Sequence, residues 1–489
     1  MSIIQKHFLL PFQKTTIYRE TLSTIKEITE LFNQNEQGIF RNKVMEESLS
    51  LTTTLTKALN ETEPESQKKQ FKDTINLTSS LIAILDTAET LKARDPKKLA
   101  AVTNKIYALQ NKIADFKNKR KKILILYSQI GQGHISAAKA LHEAITYLYG
   151  YDIEVESIDF MEFINSALTK VTQKTYDGST KFAPVLCKLF FESTDKRWPI
   201  TFLNKVNLPF VITKLKRFFD EKKPDIIVST FPLWDHMTAE IWKKYRKNAK
   251  FISIVTDSIT IHSAWVAANT DYHIVANEDT ALSLKELGVK TDKIKILGFP
   301  VRIDFMQDFN KREFLLKNGL NPDLCTILFL PAAQNPRKNI KIMKDLARKQ
   351  TNCNIIVITG RDPKVKPKLE KVANAPNIKV LGWTDEMPRF IRAANIVVTK
   401  AGGATVMECI AAKKPMIITF VIPGQEQGNA ELIKRYGLGI IAPSTHMDIS
   451  ENINYVRENY ETFIKRLEKV SNPQASIKIA EFIRNQIKD

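Results

Sequence analysis

From Lys121 onward the chain alternates short apolar, β-type runs with helical patterns, and after residue 305 it starts the same alternation again. The first run is KKILILYS at 121–128, followed by a glycine loop and a helical pattern over 136–149. Further runs lie at 153–158, 226–229, 251–255, 273–275 and 295–297, with helical stretches between most of them. Beyond LGFPVRIDF (297–305) the runs recur at 326–330, 354–358, 378–381, 396–398 and 416–420. Near-continuous apolar runs suit strands buried on both faces, and intervening helices suit parallel crossover connections. The expected fold class is therefore α/β, with two Rossmann-like lobes at 120–305 and 306–489 and a last helix free to return to the first lobe. A ligand belongs in the interlobe cleft, at the carboxyl ends of the strands.

Residues 1–119 read differently. Gly38 is their only glycine, and Pro11, Pro64 and Pro96 are their only prolines. Leu81, Ile84, Leu85 and Leu91 fall at helical spacing. Breaks at 60–64 and 94–96 mark turns, so this segment is expected to be a helical extension, a hairpin or small bundle. It would serve as a packing or dimerisation arm, or as a membrane or partner contact.

The balance of 73 Lys+Arg against 53 Asp+Glu gives a net charge of +20. Such a surface suits nucleic acid, an anionic membrane or a phosphorylated substrate, and a general lysine habit explains it equally well. Cys187, Cys325, Cys353 and Cys409 form no CxxC, which points to reduced thiols in a cytoplasmic protein, not a disulfide frame or zinc site. The start, MSIIQKHFLLPFQK, lacks a long apolar core and a cleavage site, so no signal peptide is expected. No run approaches a membrane-spanning length, so any membrane contact is peripheral.

The densest chemistry lies at 399–429, TKAGGATVMECIAAKKPMIITFVIPGQEQGN. A strand ends, Lys400-Ala401-Gly402-Gly403 turns, and a helix begins. Glycines admit a ligand close to the backbone, and the free N–H groups of a helix start suit a diphosphate, worth about 0.3–1 kcal/mol at the surface. Thr405 belongs to this helix start, and Glu408, one turn in, is placed for ribose hydroxyls. Gln425, Glu426 and Asn429 follow in a second loop and helix start. Without a D-x-D, no divalent metal and no cofactor are expected; helix termini, with Lys400 or Arg361, would face a diphosphate's charge, and Arg361 otherwise reads as a surface turn residue. Trp383 would stack on a base or simply pack.

In the first lobe, Gly131-Gln132-Gly133-His134 closes a strand and opens a helix. A histidine there reads as a structural hydrogen-bonder or as a group suited to general-base work, and a helix start disfavours its cation. Asp257, at a strand end, is the base or the group that orients His134. With Gly131 and Gly133, His262 and Trp265 would shape the first-lobe side of the cleft, the acceptor side under the resemblance described next. Asp235 reads as a helix cap and His236 as a packing residue.

These residues resemble glycosyltransferase family 28. The likeness runs from about 123 to 442 through ILILYSQIGQGHISAAKAL, PDIIVSTFPL, VTDSITIHSAW, LGFPVRIDF and the 399–429 segment. Within the family the glycolipid synthases match better than the peptidoglycan enzyme, on GQGHISAAKAL and TDxxxxHxxW. The resemblance implies a GT-B, inverting, metal-independent enzyme in which a UDP-sugar is co-substrate. The expected activity is hexose transfer to diacylglycerol or a related membrane lipid. Rival readings are an N-acetylglucosamine transferase acting on a polyprenyl-linked glycan, and a non-catalytic basic protein on a degenerate fold. One departure stands out: ILFLPAAQNPRKN (327–339) lacks the glycines usual at this position, leaving Arg337 or Lys338 as substitute donors.

The lipid expectation rests on 188–219, where aromatic and basic residues interleave. Phe190, Phe191, Trp198, Lys214, Lys216 and Arg217 are its membrane-contact candidates, on an anionic surface at the inner face of the cell membrane. A half-buried helix with a solvated basic face is the alternative. No nucleic-acid partner is expected.

Overall fold

The computed structural model describes residues 16–33, 38–61, 64–90, 96–118, 120–129, 131–150, 153–164, 208–232, 250–268, 270–373, 375–442 and 448–487, together with Asp235, 238–239 and 241–242. The chain divides into two compact units, 1–123 with 145–155, and 124–144 with 156–489.

The first unit carries four helices: α1 (Thr16–Asn33), α2 (Gly38–Asn60), α3 (Pro64–Thr90) and α4 (Pro96–Asn118). Pro64 and Pro96 stand at helix starts, where a missing N–H costs nothing. Each helix packs on the next and α1 closes against α4, so the extension is a bundle. Lys112 pairs with Glu20 and Lys105 with Glu27; numbers rise on one helix as they fall on the other, so α1 and α4 run antiparallel. Ile28, Val44, Leu51, Leu81, Leu85 and Leu99 fill one interior cluster. Buried Thr21, Thr74 and Thr78 return their hydroxyl protons to carbonyls of the preceding turn, which removes the cost of burying them.

The sheets follow. β1 (Lys121–Tyr127), β2 (Ile153–Asp159), β3 (Ile226–Ser229), β4 (Lys250–Ile254), β5 (Tyr272–Val275) and β6 (Ile294–Ile296) form one sheet in the order β2-β1-β3-β4-β5-β6. The second contains β7 (Cys325–Phe329), β8 (Cys353–Ile358), β9 (Ile378–Leu381), β10 (Ile396–Lys400), β11 (Met416–Phe420) and β12 (Gly439–Ile441). Its order is β12-β11-β10-β7-β8-β9, with every pairing parallel. Strand order reverses between β1 and β3 in one sheet and between β7 and β10 in the other. Open parallel sheets bind ligands at such switch points.

The period of two decides the packing of the second sheet. Ile327, Phe329, Ile355, Val357, Ile396 and Val398 enter one buried cluster, while Leu328, Ile356, Ile358 and Val397 enter the other. Both faces are therefore covered, as its continuous apolar strands require. The last helix, α11 (Ala475–Gln486), sets Phe482 edge-on to Tyr272 of β5, ring centroids 5.1 Å apart, so it lies on the first lobe.

Two expectations change here. Lys338 is buried, and its Nζ donates to the carbonyls of Thr419 (2.6 Å) and Ala442 (3.1 Å); it ties sheet ends together and is no ligand donor. Helix α6 (Leu208–Lys222) sinks Leu215, Phe218 and Phe219 into the first-lobe core. Lys214 turns inward with them, donating to the Phe163 carbonyl and lying 4.9 Å from that ring's centroid, so it is not a membrane contact. Lys216 and Arg217 are exposed, Arg217 bonded to Glu221 at 2.9 Å. Phe190, Phe191, Trp198, Cys187 and His236 lie outside the described residues.

Candidate active site

Both switch points open into one cleft of about 340 Å³. From the first lobe it is lined by Gln129, Gly131, Gln132, Gly133 and His134 after β1, and by Thr256 and Asp257 after β4. Gln334 reaches it from the loop after β7. Lys400 and Gly402 to Thr405 follow β10, and Ile422, Gln425, Glu426 and Asn429 follow β11. The arrangement thus joins segments that are hundreds of residues apart in sequence.

Helix α5 (Gln132–Tyr149) begins immediately after Gly131, whose φ of +87° lets the chain turn sharply out of β1. His134 is consequently held in the first turn. Its Nδ1 lies 2.6 Å from the Thr230 carbonyl and 2.9 Å from the Thr256 hydroxyl. A carbonyl can only accept, so Nδ1 carries the proton and Nε2 keeps its lone pair. Phe231 meets the ring edge-on at 5.0 Å and Trp265 lies 6.2 Å away. Burial pushes the imidazole down to about 4 against the pull of the Thr230 carbonyl, so the ring is neutral at ordinary pH.

Asp257 does not orient His134; that work falls to Thr230 and Thr256. The Asp257 carboxylate instead accepts from the Trp265 indole N–H at 2.7 Å and from the His262 backbone. Burial raises it to about 6. His262 and Trp265 are themselves buried and sit behind the lining, supporting Asp257. Ile259 closes this loop at φ +58°, a conformation costing a β-branched residue about 1–3 kcal/mol. Thr280 and Ser283 of α7 (Glu278–Glu286) hold it there, through bonds to its N–H (3.3 Å) and carbonyl (2.6 Å).

In the second lobe α9 (Gly403–Ala411) starts at the cleft with Gly402 as its cap and no side-chain cap bond. Its first N–H groups therefore remain available to an anion. Lys400 pairs with Glu426, whose other oxygen accepts from the Ile422 N–H at 3.0 Å. Glu426 is thus a brace that holds Lys400 and the loop. Helix α10 (Gln427–Tyr436) brings Asn429, whose amide donates to the Ala401 carbonyl at 2.9 Å. Among the described residues, the buried side-chain oxygens of Asn429 and Gln334 have no hydrogen-bond partner. Both residues line the cleft, so two acceptors wait there for donors. Gly428 meets the first lobe so closely that a Cβ would fall 1.8 Å from the Ser258 carbonyl oxygen.

Glu408 is buried on α9 and is not among the lining residues. Its Oε1 accepts from Ser136 of α5 at 3.3 Å, and burial raises the carboxyl to about 7. Arg361 and Trp383 also stand outside the lining, at the carboxyl ends of β8 and β9. The guanidinium of Arg361 lies over the Trp383 ring, 4.8 Å from its centroid. Asp235 is buried and bonded to Ser253 at 2.6 Å, and burial raises it to about 7. Gln129, Gln132, Thr230, Thr256 and Gln334 were not singled out by sequence. Position at a strand end was the one signal available for Thr230 and Thr256.

Residues 134–301 match the family described as monogalactosyldiacylglycerol (MGDG) synthase, and 336–482 match the glycosyltransferase family 28 C-terminal domain. The processive diacylglycerol beta-glucosyltransferase of Bacillus subtilis (strain 168) is 28% identical over 356 residues, covering 72% of this chain and 91% of that protein. Its counterpart in Bacillus pumilus (strain SAFR-032) is 29% identical over 346 residues, covering 70% and 88%. Among solved structures, the glycotransferase of kitacinnamycin superposes with a TM-score of 0.50 at 13% identity, covering 76% of this chain and 100% of that one. That likeness bears on the fold alone.

Proposed function

We propose that this chain, whose residues 134–301 match the monogalactosyldiacylglycerol synthase family and 336–482 the glycosyltransferase family 28 C-terminal domain, transfers a hexose from a UDP-sugar to diacylglycerol or a related membrane lipid, by single displacement with inversion. The observation that carries this is the shared cleft. A neutral imidazole with its Nε2 lone pair available stands in the same cavity as the uncapped start of α9.

In this reading the acceptor hydroxyl donates to Nε2 of His134 while its oxygen forms the bond to the anomeric carbon. The bond to UDP breaks, the proton remains on the imidazole, and the Asp257 carboxylate in the same cleft favours that cation. The departing diphosphate is received by the N–H groups of α9 and by Lys400, which places charge stabilisation where charge develops. Asn429 and Gln334 accept from hydroxyl or N–H groups of the donor. Glu408 exchanges its bond from Ser136 for the ribose hydroxyls. The Arg361–Trp383 stack offers a face to uracil. These roles require no divalent cation.

Diacylglycerol resides in a bilayer, and no helix among the described residues is long and apolar enough to cross one. The reading therefore includes peripheral attachment at the inner face of the cell membrane. The test is incubation of the purified chain with radiolabelled UDP-glucose, UDP-galactose or UDP-N-acetylglucosamine and lipid acceptors, with and without a chelator. Labelled lipid from a UDP-hexose, undiminished by the chelator, is expected. No lipid product from any donor, with no binding of UDP, sinks the proposal.

A further inference from the structure

The outer face of the second lobe carries charge that the site above does not use. Helix α8 (Pro336–Lys349) buries Ile342, Met343 and Leu346 against the sheet. Its opposite side presents Arg337, Lys341, Lys344 and Arg348, all exposed, at the spacing of one helical stripe. Beside it, helix Val365–Glu370 packs Leu369 into the same apolar cluster. Exposed Lys364, Lys368 and Lys371 repeat the same spacing there.

Among the described residues none of these seven cations has an ion-pair partner. The neighbouring acids are already engaged. Asp345 accepts from Ser450 and pairs with Lys349, Glu370 pairs with Lys366, and Asp362 accepts from the Lys364 backbone. Like charges one turn apart destabilise a helix, so the stripe is a standing cost unless a counter-charge covers it. Two adjacent rows on helices packed side by side make an extended surface, not a pocket for a small anion. The first row begins just beyond Gln334, at the rim of the cleft.

We infer that this double cationic stripe is a docking surface for an anionic lipid bilayer, which holds the donor lobe with its cleft rim toward the membrane. The inference rests on the lipid-acceptor reading and adds to it a surface on the second lobe, separate from the aromatic and basic 188–219 stretch. Cations close to an anionic leaflet are attracted additively, and salt screens the attraction within a Debye length.

The test uses the full chain with phosphatidylcholine vesicles, alone or mixed with phosphatidylglycerol, at low and high salt. The wild type is expected to float only with phosphatidylglycerol, and less at high salt. Replacing Lys341, Lys344, Lys368 and Lys371 by Gln is expected to weaken that partitioning by about tenfold or more. Lys216→Gln with Arg217→Gln serves as the first-lobe control. Flotation of the second-lobe variant equal to wild type overturns the inference. So does loss of all binding in the control alone, or a wild type that shifts an RNA oligonucleotide and never floats. Turnover in neutral detergent micelles containing diacylglycerol separates the two readings. Retained micellar turnover in the variant confines its defect to docking. Absent turnover in the wild type sinks the transferase reading while the vesicle result still decides the surface.

Discussion

Replacing Glu408 by Gln separates folding from function at one residue. Its carboxyl is buried, bonded to Ser136 alone among the described residues, and raised from 4.5 to about 7 by burial. A carboxyl with a raised folded pKa resists ionisation in the fold, so its contribution to stability worsens as pH climbs from 4.5 to about 7 and is flat above. The full penalty is about 3 kcal/mol as an upper bound, since each tenfold loss of acidity is worth about 1.4 kcal/mol. Of this, about 1.4 kcal/mol develops between pH 6 and pH 8. Gln keeps the shape and accepts from Ser136 without titrating. The variant's melting temperature relative to wild type should therefore rise by about 2 °C more at pH 8 than at pH 6, given the unfolding entropy of a unit this size. UDP-sugar affinity should fall at the same time, because the carboxylate is proposed to take the ribose hydroxyls. A gain in stability with a loss of binding is the signature of a residue kept for its ligand. Parallel melting curves across the pH range would refute the raised carboxyl; unchanged affinity would refute the donor role.

His134→Ala should lower turnover by roughly 10²–10⁴-fold while UDP binding, measured by calorimetry, stays within a few-fold. With the imidazole at about 4, its neutral form persists as pH falls through 6.5, so kcat/KM should show no acid limb from His134 until below pH 5. An acid limb at 6.5 that disappears in a His134 variant would contradict the assignment. Gly428→Ala forces a Cβ to 1.8 Å from the Ser258 carbonyl oxygen. It should destabilise the protein by about 1–3 kcal/mol in thermal unfolding and raise KM for the donor, because Asn429 moves with the helix.

The alternation of apolar runs and helices made both sheets legible, since strand and helix periods are local properties of the chain. Observed β3 coincides with the run at 226–229, while β12 (Gly439–Ile441), short and only partly buried, leaves no comparable run in the sequence. The loops at 131–134 and 400–405 could be found because glycines and helix starts leave local marks. The partners of those loops could not. The Nδ1 proton of His134 is directed by Thr230 and Thr256, 96 and 122 residues away, and no spacing rule connects them.

The glycine-free 327–339 loop shows the division most plainly. Its sequence nominated the cations Arg337 and Lys338, but the helix phase beginning at Pro336 turns Lys338 into the core and Arg337 outward. Gln334, a neutral amide in the preceding turn, is the residue that reaches the cleft. Sequence alone determined which segments are strands, which loops favour an anion and which family the motifs resemble. Tertiary structure decided which side chain faces the cleft, which nitrogen of His134 is available and which carboxyls burial makes harder to ionise. Those depend on how two lobes meet, and contact between lobes is set by long-range packing that no local pattern encodes.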